Sequence, residues 1–65
     1  MTLVARVLRY LRTSGMPPTK LGRDALNDPR FVADLVRGRE PRTSTVRRVN
    51  AWLDAQEGGA KEAAR

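Results

Sequence analysis

The chain has 65 residues, and its 13 Lys and Arg residues against seven Asp and Glu residues give a formal net charge of +6 at pH 7. A chain of this length forms one small domain, which buries only about 60% of its unfolded surface. It contains no Cys and no His, which excludes disulfides, Cys and His zinc sites, thiol nucleophiles and imidazole acid–base chemistry.

The first predicted helix lies between Thr2 and Gly15. Its apolar face repeats with the period of an α-helix and contains Leu3, Val4, Val7, Leu8 and Leu11. Thr2 is the expected N-cap, and Gly15 is the expected left-handed residue before a Met-Pro-Pro segment that cannot continue the helix. Three arginines interrupt the apolar stretch, so it is not a signal-peptide core. No run in the chain reaches the roughly 18 to 20 apolar residues of a membrane span.

A second, short helix is predicted between Thr19 and Asn27. Thr19 is the expected N-cap, because the two preceding prolines keep the backbone extended. Leu21, Ala25 and Leu26 provide its buried stripe. Asn27 is expected to end the helix, since asparagine tolerates a positive φ better than most residues.

The third predicted helix covers about residues 29–37. Asp28 is its expected N-cap, Pro29 takes the first helical position, and Gly38 ends the helix. Only one or two residues then separate the second helix from the third, which predicts that the two cross steeply. The inward side chains are those of Leu35 and either Phe31 or Val32.

A fourth helix is predicted after the Arg-Glu-Pro-Arg loop, with Thr43 or Ser44 as its N-cap and Trp52 on its flank. The last residues contain a double glycine and small or charged side chains that have little to bury. We therefore expect a helical domain over residues 1–57 and a flexible tail over residues 58–65. The chain is predicted to be all-α, with four helices. Its predicted core contains Val7, Leu8, Leu11, Leu21, Leu26, Val32, Leu35, Val46, Val49 and Leu53.

The positive charge is unevenly distributed along the chain. Residues 1–50 contain eleven basic and four acidic side chains, a net charge of +7, whereas residues 51–65 contain two and three, a net charge of −1. A basic domain favours an anionic partner, most often nucleic acid, through counterion release and long-range attraction. The alternative is that the arginines are solvated surface residues without a partner.

The predicted helices carry an ordered set of short motifs. In chain order these are Leu21-Gly22, Ala25, Val32, Leu35, Gly38-Arg39, Pro41 and Thr45–Val49. The set, within residues 3–53, resembles the helix-turn-helix of the lambda-repressor-like (Cro/repressor, Xre-type) DNA-binding domains. Gly22 stands where that family has alanine, and both residues are small, as a close approach of helices requires. The turn departs from the family pattern of Gly followed by an apolar residue, because this chain has Asn27-Asp28-Pro29 there.

This resemblance implies a sequence-specific double-stranded DNA-binding transcriptional regulator, a small repressor or prophage-type control protein, with the helix around residues 29–37 in the major groove. The implied base contacts are Arg30, Ala33, Asp34 and Arg37. Arg30 is the strongest candidate, because a guanidinium can donate two hydrogen bonds to one guanine edge. Asp34 either accepts a hydrogen bond from a cytosine amino group or orients Arg30 or Arg37, and we favour the orienting role.

Phosphate contacts are expected before and after that helix. Thr19 and Lys20 begin the second helix, where exposed N–H groups and the helix dipole attract a phosphate. The resemblance places Arg39, Arg42 and Thr43, which follow the third helix, on the DNA backbone.

Two aromatic side chains have more than one interpretation. Phe31 either fills the core or contacts a thymine methyl group. Trp52 is a candidate dimer contact, because domains of this family usually bind two-fold DNA sites as homodimers. The alternatives for Trp52 are the edge of the core and simple exposure.

The chief alternative function is a protein-interaction adaptor that uses the fourth helix and Trp52, since a fold does not fix a function. A non-specific architectural DNA binder is the second alternative. An RNA-stacking module or an enzyme is not expected, because the aromatic residues are scattered, the seven carboxylates are dispersed and there is no phosphate-binding loop. The sequence thus predicts a cytoplasmic, nucleoid-associated protein with no cofactor, no metal and no membrane contact.

Overall fold

A computed structural model describes the backbone of residues 2–63 and the side chains of residues 2–58. Within these residues the chain forms four helices and no strand, which confirms the predicted all-α, four-helix class. The helices are α1 (Leu3–Ser14), α2 (Pro18–Leu26), α3 (Phe31–Val36) and α4 (Thr43–Ala63). Both α1 and α2 pack against α3 and α4. The short α3 therefore contacts both α1 and α2.

Both ends of α1 have the caps that the sequence predicts. The hydroxyl oxygen of Thr2 accepts a hydrogen bond from the Ala5 N–H at 3.2 Å. Gly15 adopts the left-handed conformation, with φ of 72°, and its N–H donates to the Leu11 carbonyl. A residue with a side chain would be strained at this φ, so Gly15 fixes where α1 ends.

The predicted N-cap of α2 is wrong by two residues. The helix begins at Pro18 with Pro17 in the capping position, and no side chain caps it. A proline is well placed in the first turn, because its fixed φ suits the helix and its missing N–H needs no partner there. Thr19 therefore lies inside the first turn. Asn27 ends the helix with φ of 56°, as predicted.

The helix α3 is shorter than the predicted 29–37, and the turn before it has four residues rather than one or two. Asp28 organises this turn, because its carboxylate accepts from the Arg30 N–H at 3.0 Å and its carbonyl accepts from the Phe31 N–H at 3.2 Å. These bonds hold Pro29 and Arg30 in a turn that precedes the helix. Arg30 is the capping residue, so the prediction of Asp28 as N-cap and of Pro29 at the first helical position is wrong. The predicted terminator Gly38 is confirmed by its φ of 103°.

The helix α4 begins at Thr43 and continues to Ala63. Neither Thr43 nor Ser44 is its capping residue, because the Arg42 carbonyl already accepts from the Val46 N–H at 2.9 Å. The backbone stays helical through residues 58–63, where the sequence predicts the start of a flexible tail. Residues 64 and 65 of that predicted tail lie outside the described part of the chain.

The core lies where the four helices meet. Its buried side chains are Val7, Leu21, Phe31, Val32, Leu35, Val49 and Leu53. Partly buried around them are Leu3, Val4, Tyr10, Leu11, Met16, Leu26 and Trp52. Two of the predicted core residues, Leu8 and Val46, are not part of this core. Leu8 is 40% exposed, because it lies about 100° of helical rotation from the fully buried Val7, at the edge of the apolar stripe. Val46 is half-buried outside the core. Phe31, at 6% exposed, fills the core.

The indole of Trp52 packs against the ring of Tyr10. The two ring centroids are 5.4 Å apart and the rings are nearly perpendicular, at 79°, which is a favourable edge-to-face arrangement. Both rings are half-buried against the core. Of the three interpretations of Trp52, the edge of the core is therefore the one that its contacts within the chain match.

Arg6 of α1 makes hydrogen bonds to three side chains of α4. Its guanidinium donates to Asn50 Oδ1 at 2.7 Å, to Asp54 Oδ1 at 2.6 Å and to Glu57 Oε1 at 3.0 Å, all on α4. The hydrogen bonds to Asp54 and then to Glu57 raise the pKa of Arg6 above its ordinary value. The guanidinium thus stays charged and links α1 to the middle of α4.

We expect Arg6→Ala to lower the free energy of unfolding by about 1 to 2 kcal/mol, since it removes hydrogen bonds to two carboxylates in a partly solvated site. Urea unfolding followed by circular dichroism measures the change. The control Arg12→Ala removes an exposed α1 arginine with no ion pair among the described residues, and should stay within about 0.5 kcal/mol of the parent. Equal losses in both variants would mean that the Arg6 contacts add no stability.

Candidate nucleic-acid interface

The helix α3 has one buried face and one exposed face. Phe31, Val32 and Leu35 are buried. Arg30, Ala33 and Arg37 are exposed. At about 100° of rotation per residue, these three exposed residues share one side, nearly opposite the centre of the buried one. We call Arg30, Ala33 and Arg37 the outer face of α3.

The two arginines of the outer face carry unneutralised charge. Within residues 2–58 neither Arg30 nor Arg37 makes an ion pair or a side-chain hydrogen bond. Both have right-handed helical backbone angles at the two caps of α3. Arg30 and Arg37 are seven positions apart, which in a helix is a rise of about 10 Å. This rise corresponds to about three base-pair steps at about 3.4 Å each. The outer face is thus a short, exposed basic surface.

Asp34 lies at the edge of the outer face and does not pair with the predicted partners. Its Oδ2 accepts from Arg39 Nη1 at 3.0 Å, and its carbonyl accepts from the Arg39 N–H, also at 3.0 Å. The expected orientation of Arg30 or Arg37 by Asp34 is therefore wrong. Gly38 causes this difference, because its positive φ turns the chain back and brings Arg39 beside α3.

The loop between α3 and α4 adds further basic groups beside the helix. Arg39 is exposed but engaged with Asp34, whereas Arg42 is exposed and has no ion pair among the described residues. Thr43, the third predicted contact here, is exposed in the first turn of α4. A groove of about 350 Å³ is lined by residues of this loop and of α3, and by Arg48 of α4.

The start of α2 is a weaker phosphate site than the sequence predicts. Pro18 has no N–H, and the N–H groups of Lys20 and Leu21 both donate to the Pro17 carbonyl. The Lys20 ammonium pairs with Asp24 Oδ2 at 2.6 Å. Thr19 remains exposed at this end, so the predicted Thr19 and Lys20 site retains one backbone N–H and a partly neutralised lysine.

Two further features lie beside the interface, and the first of them, Val36, is not among the sequence predictions. Val36 is 57% exposed and directly precedes Arg37, on the flank of the outer face. In the sequence, only the position of Val36 in the helical repeat could have indicated that its side chain is exposed. Gly22 is buried on α2, and an added Cβ would lie 2.2 Å from the Asp28 carbonyl oxygen. The turn before α3 therefore rests directly on the backbone of α2.

Residues 2–58 bring together no cluster of three or more metal-binding His, Cys, Asp or Glu side chains. No described helix has the length and apolar character needed to cross a membrane. Comparison of the sequence with protein families and curated proteins, and of the structure with solved structures, finds no match to this chain.

Proposed function

We propose that the protein is a sequence-specific double-stranded DNA-binding regulator of transcription, built as a lambda-repressor-like helix-turn-helix. One observation carries the proposal: the outer face of α3 presents Arg30 and Arg37 on the side of the helix opposite its buried residues. Both arginines are exposed and have no ion pair among the described residues. An arginine can donate two hydrogen bonds to the major-groove edge of guanine.

The position of α3 supports insertion into a groove. A helix with its side chains fits the major groove of B-DNA, which is about 12 Å wide. The α2 helix packs behind α3, and Gly22 allows the connecting turn to lie close against it. In this arrangement α2 crosses the DNA backbone while α3 enters the groove. Ala33, between the two arginines, is small enough to let the helix approach base edges.

The loop after α3 supplies the backbone contacts in this proposal. Arg42 is exposed and has no ion pair among the described residues. It lies at the end of the loop that connects α3 to α4. Phosphate contacts of this kind set the register of the helix and carry little sequence information. Thr43 adds a hydroxyl beside it, and Thr19 remains a candidate at the start of α2.

The proposed regulator acts as a homodimer on a two-fold site, because a single domain of 65 residues offers few contacts. Trp52 is a less favourable centre for that dimer than the sequence suggests, since its indole already packs on Tyr10. The same contact reduces the surface available to the alternative adaptor function. A dimer remains testable from the symmetry of the bound DNA.

Fluorescence anisotropy tests DNA binding directly. A labelled 24-base-pair duplex of random sequence is titrated with the protein between 50 and 200 mM salt, and a single strand of the same length is the control. The proposal predicts binding to the duplex that weakens with salt, as phosphate contacts require. Absence of duplex binding at 50 mM salt would favour the adaptor function.

Arg42→Ala is expected to weaken binding to every duplex by a similar factor and to reduce the salt slope by about one, because one phosphate contact is lost. The same anisotropy titrations measure both quantities. Arg12→Ala is the control, since it removes an exposed arginine from α1, and its slope should match that of the parent protein. An unchanged slope in Arg42→Ala would place the loop away from the DNA backbone.

A further inference from the structure

The pair formed by Asp34 and Arg39 is asymmetric. The Asp34 side chain is 27% exposed and lies on the α3 helix, whereas the Arg39 side chain is 72% exposed and lies on the loop. A second bond, from the Arg39 N–H to the Asp34 carbonyl, fixes the two backbones together at 3.0 Å. The guanidinium can therefore leave the carboxylate by side-chain rotation, but the carboxylate cannot leave the edge of the outer face.

A phosphate near the loop competes with Asp34 for the Arg39 guanidinium. If Arg39 turns to the phosphate, the Asp34 carboxylate loses its partner next to a polyanion. An unpaired charge near like charge is unfavourable. A base that offers an exocyclic amino group, such as cytosine, restores a donor to the carboxylate. A base without such a donor leaves the carboxylate unpaired.

We propose that Asp34, through its pair with Arg39, is a specificity-determining residue that weakens binding to non-cognate DNA. This inference rests on the proposed DNA-binding function. Asp34 keeps Arg39 from neutralising phosphates of any sequence, and releases it only where the base pair beside α3 supplies an amino donor. Such a residue acts by rejecting wrong sequences rather than by adding affinity for the right one.

The test compares Asp34→Asn with Glu40→Gln on random-sequence duplex DNA by anisotropy. Both substitutions remove one negative charge, and Glu40 is an exposed loop residue beside Arg39 with no ion pair among the described residues. We expect Asp34→Asn to tighten random-duplex binding about fivefold at 150 mM salt and to increase the salt slope by about one, because Arg39 gains a phosphate. We expect Glu40→Gln to change the affinity by less than about twofold, with an unchanged slope.

A second variant identifies the group responsible. Adding Arg39→Gln to Asp34→Asn should remove the extra unit of slope, whereas a slope that stays high would overturn the role of Arg39. On a cognate duplex obtained by selection, Asp34→Asn should lower the ratio of cognate to random affinity at least about fivefold. Circular dichroism spectra should show the same helix content in all variants.

The outcomes separate this inference from the function on which it rests. If the parent protein binds no duplex, both fail. If the parent binds duplex DNA but Asp34→Asn and Glu40→Gln behave alike, only the role of Asp34 is overturned. Weaker random-duplex binding by Asp34→Asn would also overturn it, because Asp34 would then hold Arg39 in position for a phosphate.

Discussion

Reversal of the charge of both outer-face arginines, Arg30→Glu with Arg37→Glu, is expected to abolish duplex binding while the domain stays folded. Each lost arginine contact is worth about 1 to 3 kcal/mol, and each new carboxylate adds repulsion from the DNA backbone. We therefore expect affinity to fall by more than about 100-fold. Both positions are exposed and unpaired among the described residues, so stability should change by less than about 0.5 kcal/mol per site.

A charge-matched double variant shows whether position or net charge matters. Arg9→Glu with Arg12→Glu changes the net charge equally but alters exposed residues of α1, which packs on the inner side of α3. Arg9 Nη2 lies 3.8 Å from Glu57 Oε2, so circular dichroism first checks that this variant is folded. Its loss of affinity should stay below about tenfold, since distant charges act only through a screened field. If the affinity for DNA falls by the same factor in both double variants, binding depends on overall charge and the outer face of α3 has no special role.

The second large effect is expected at Gly22, where Gly22→Ala should destabilise the domain by about 1 to 3 kcal/mol. The added methyl group would meet the Asp28 carbonyl oxygen at 2.2 Å and Phe31 Cβ at 3.3 Å. Because the Asp28 oxygen belongs to the backbone, the turn before α3 must move. This cost exceeds the gain of up to about 1 kcal/mol that alanine brings to a helix interior.

Gly58→Ala is the matched control for this steric argument. Gly58 is also helical, and a Cβ added there meets nothing within 4 Å. We expect this variant to gain up to about 1 kcal/mol, from helix propensity alone. Thermal and urea unfolding of both variants measure the difference. A Gly22→Ala protein as stable as the Gly58→Ala protein would show that α2 and the turn are not in close contact.

Local signals predicted much of the fold correctly. Thr2, Gly15, Asn27 and Gly38 stand at the helix ends that the sequence assigns to them, because a cap or a positive φ depends on a few neighbouring residues. The start of α2 was misplaced since two signals competed there, the threonine hydroxyl and the preceding prolines. Propensity alone does not decide between them.

Contacts between distant parts of the chain could not be predicted from the sequence. Arg6 reaches residues 44 to 51 positions away, and nothing in its local pattern distinguishes it from the arginines on either side. The Asp34 partner was also missed, because helical spacing favours residues three or four apart, whereas the turn at Gly38 brings Arg39 beside Asp34. The path of the backbone after the helix decides which charges meet.

Selection from a random-sequence duplex library at physiological salt tests whether the outer face of α3 recognises a DNA sequence. The protein is mixed with the library, retained duplexes are sequenced, and the cycle is repeated until the sequences converge. We expect a motif with two inverted halves about one helical turn apart, as a dimeric regulator with α3 in the major groove requires. Retention of duplexes without any shared motif, or no retention at all, would contradict sequence-specific recognition by the outer face of α3.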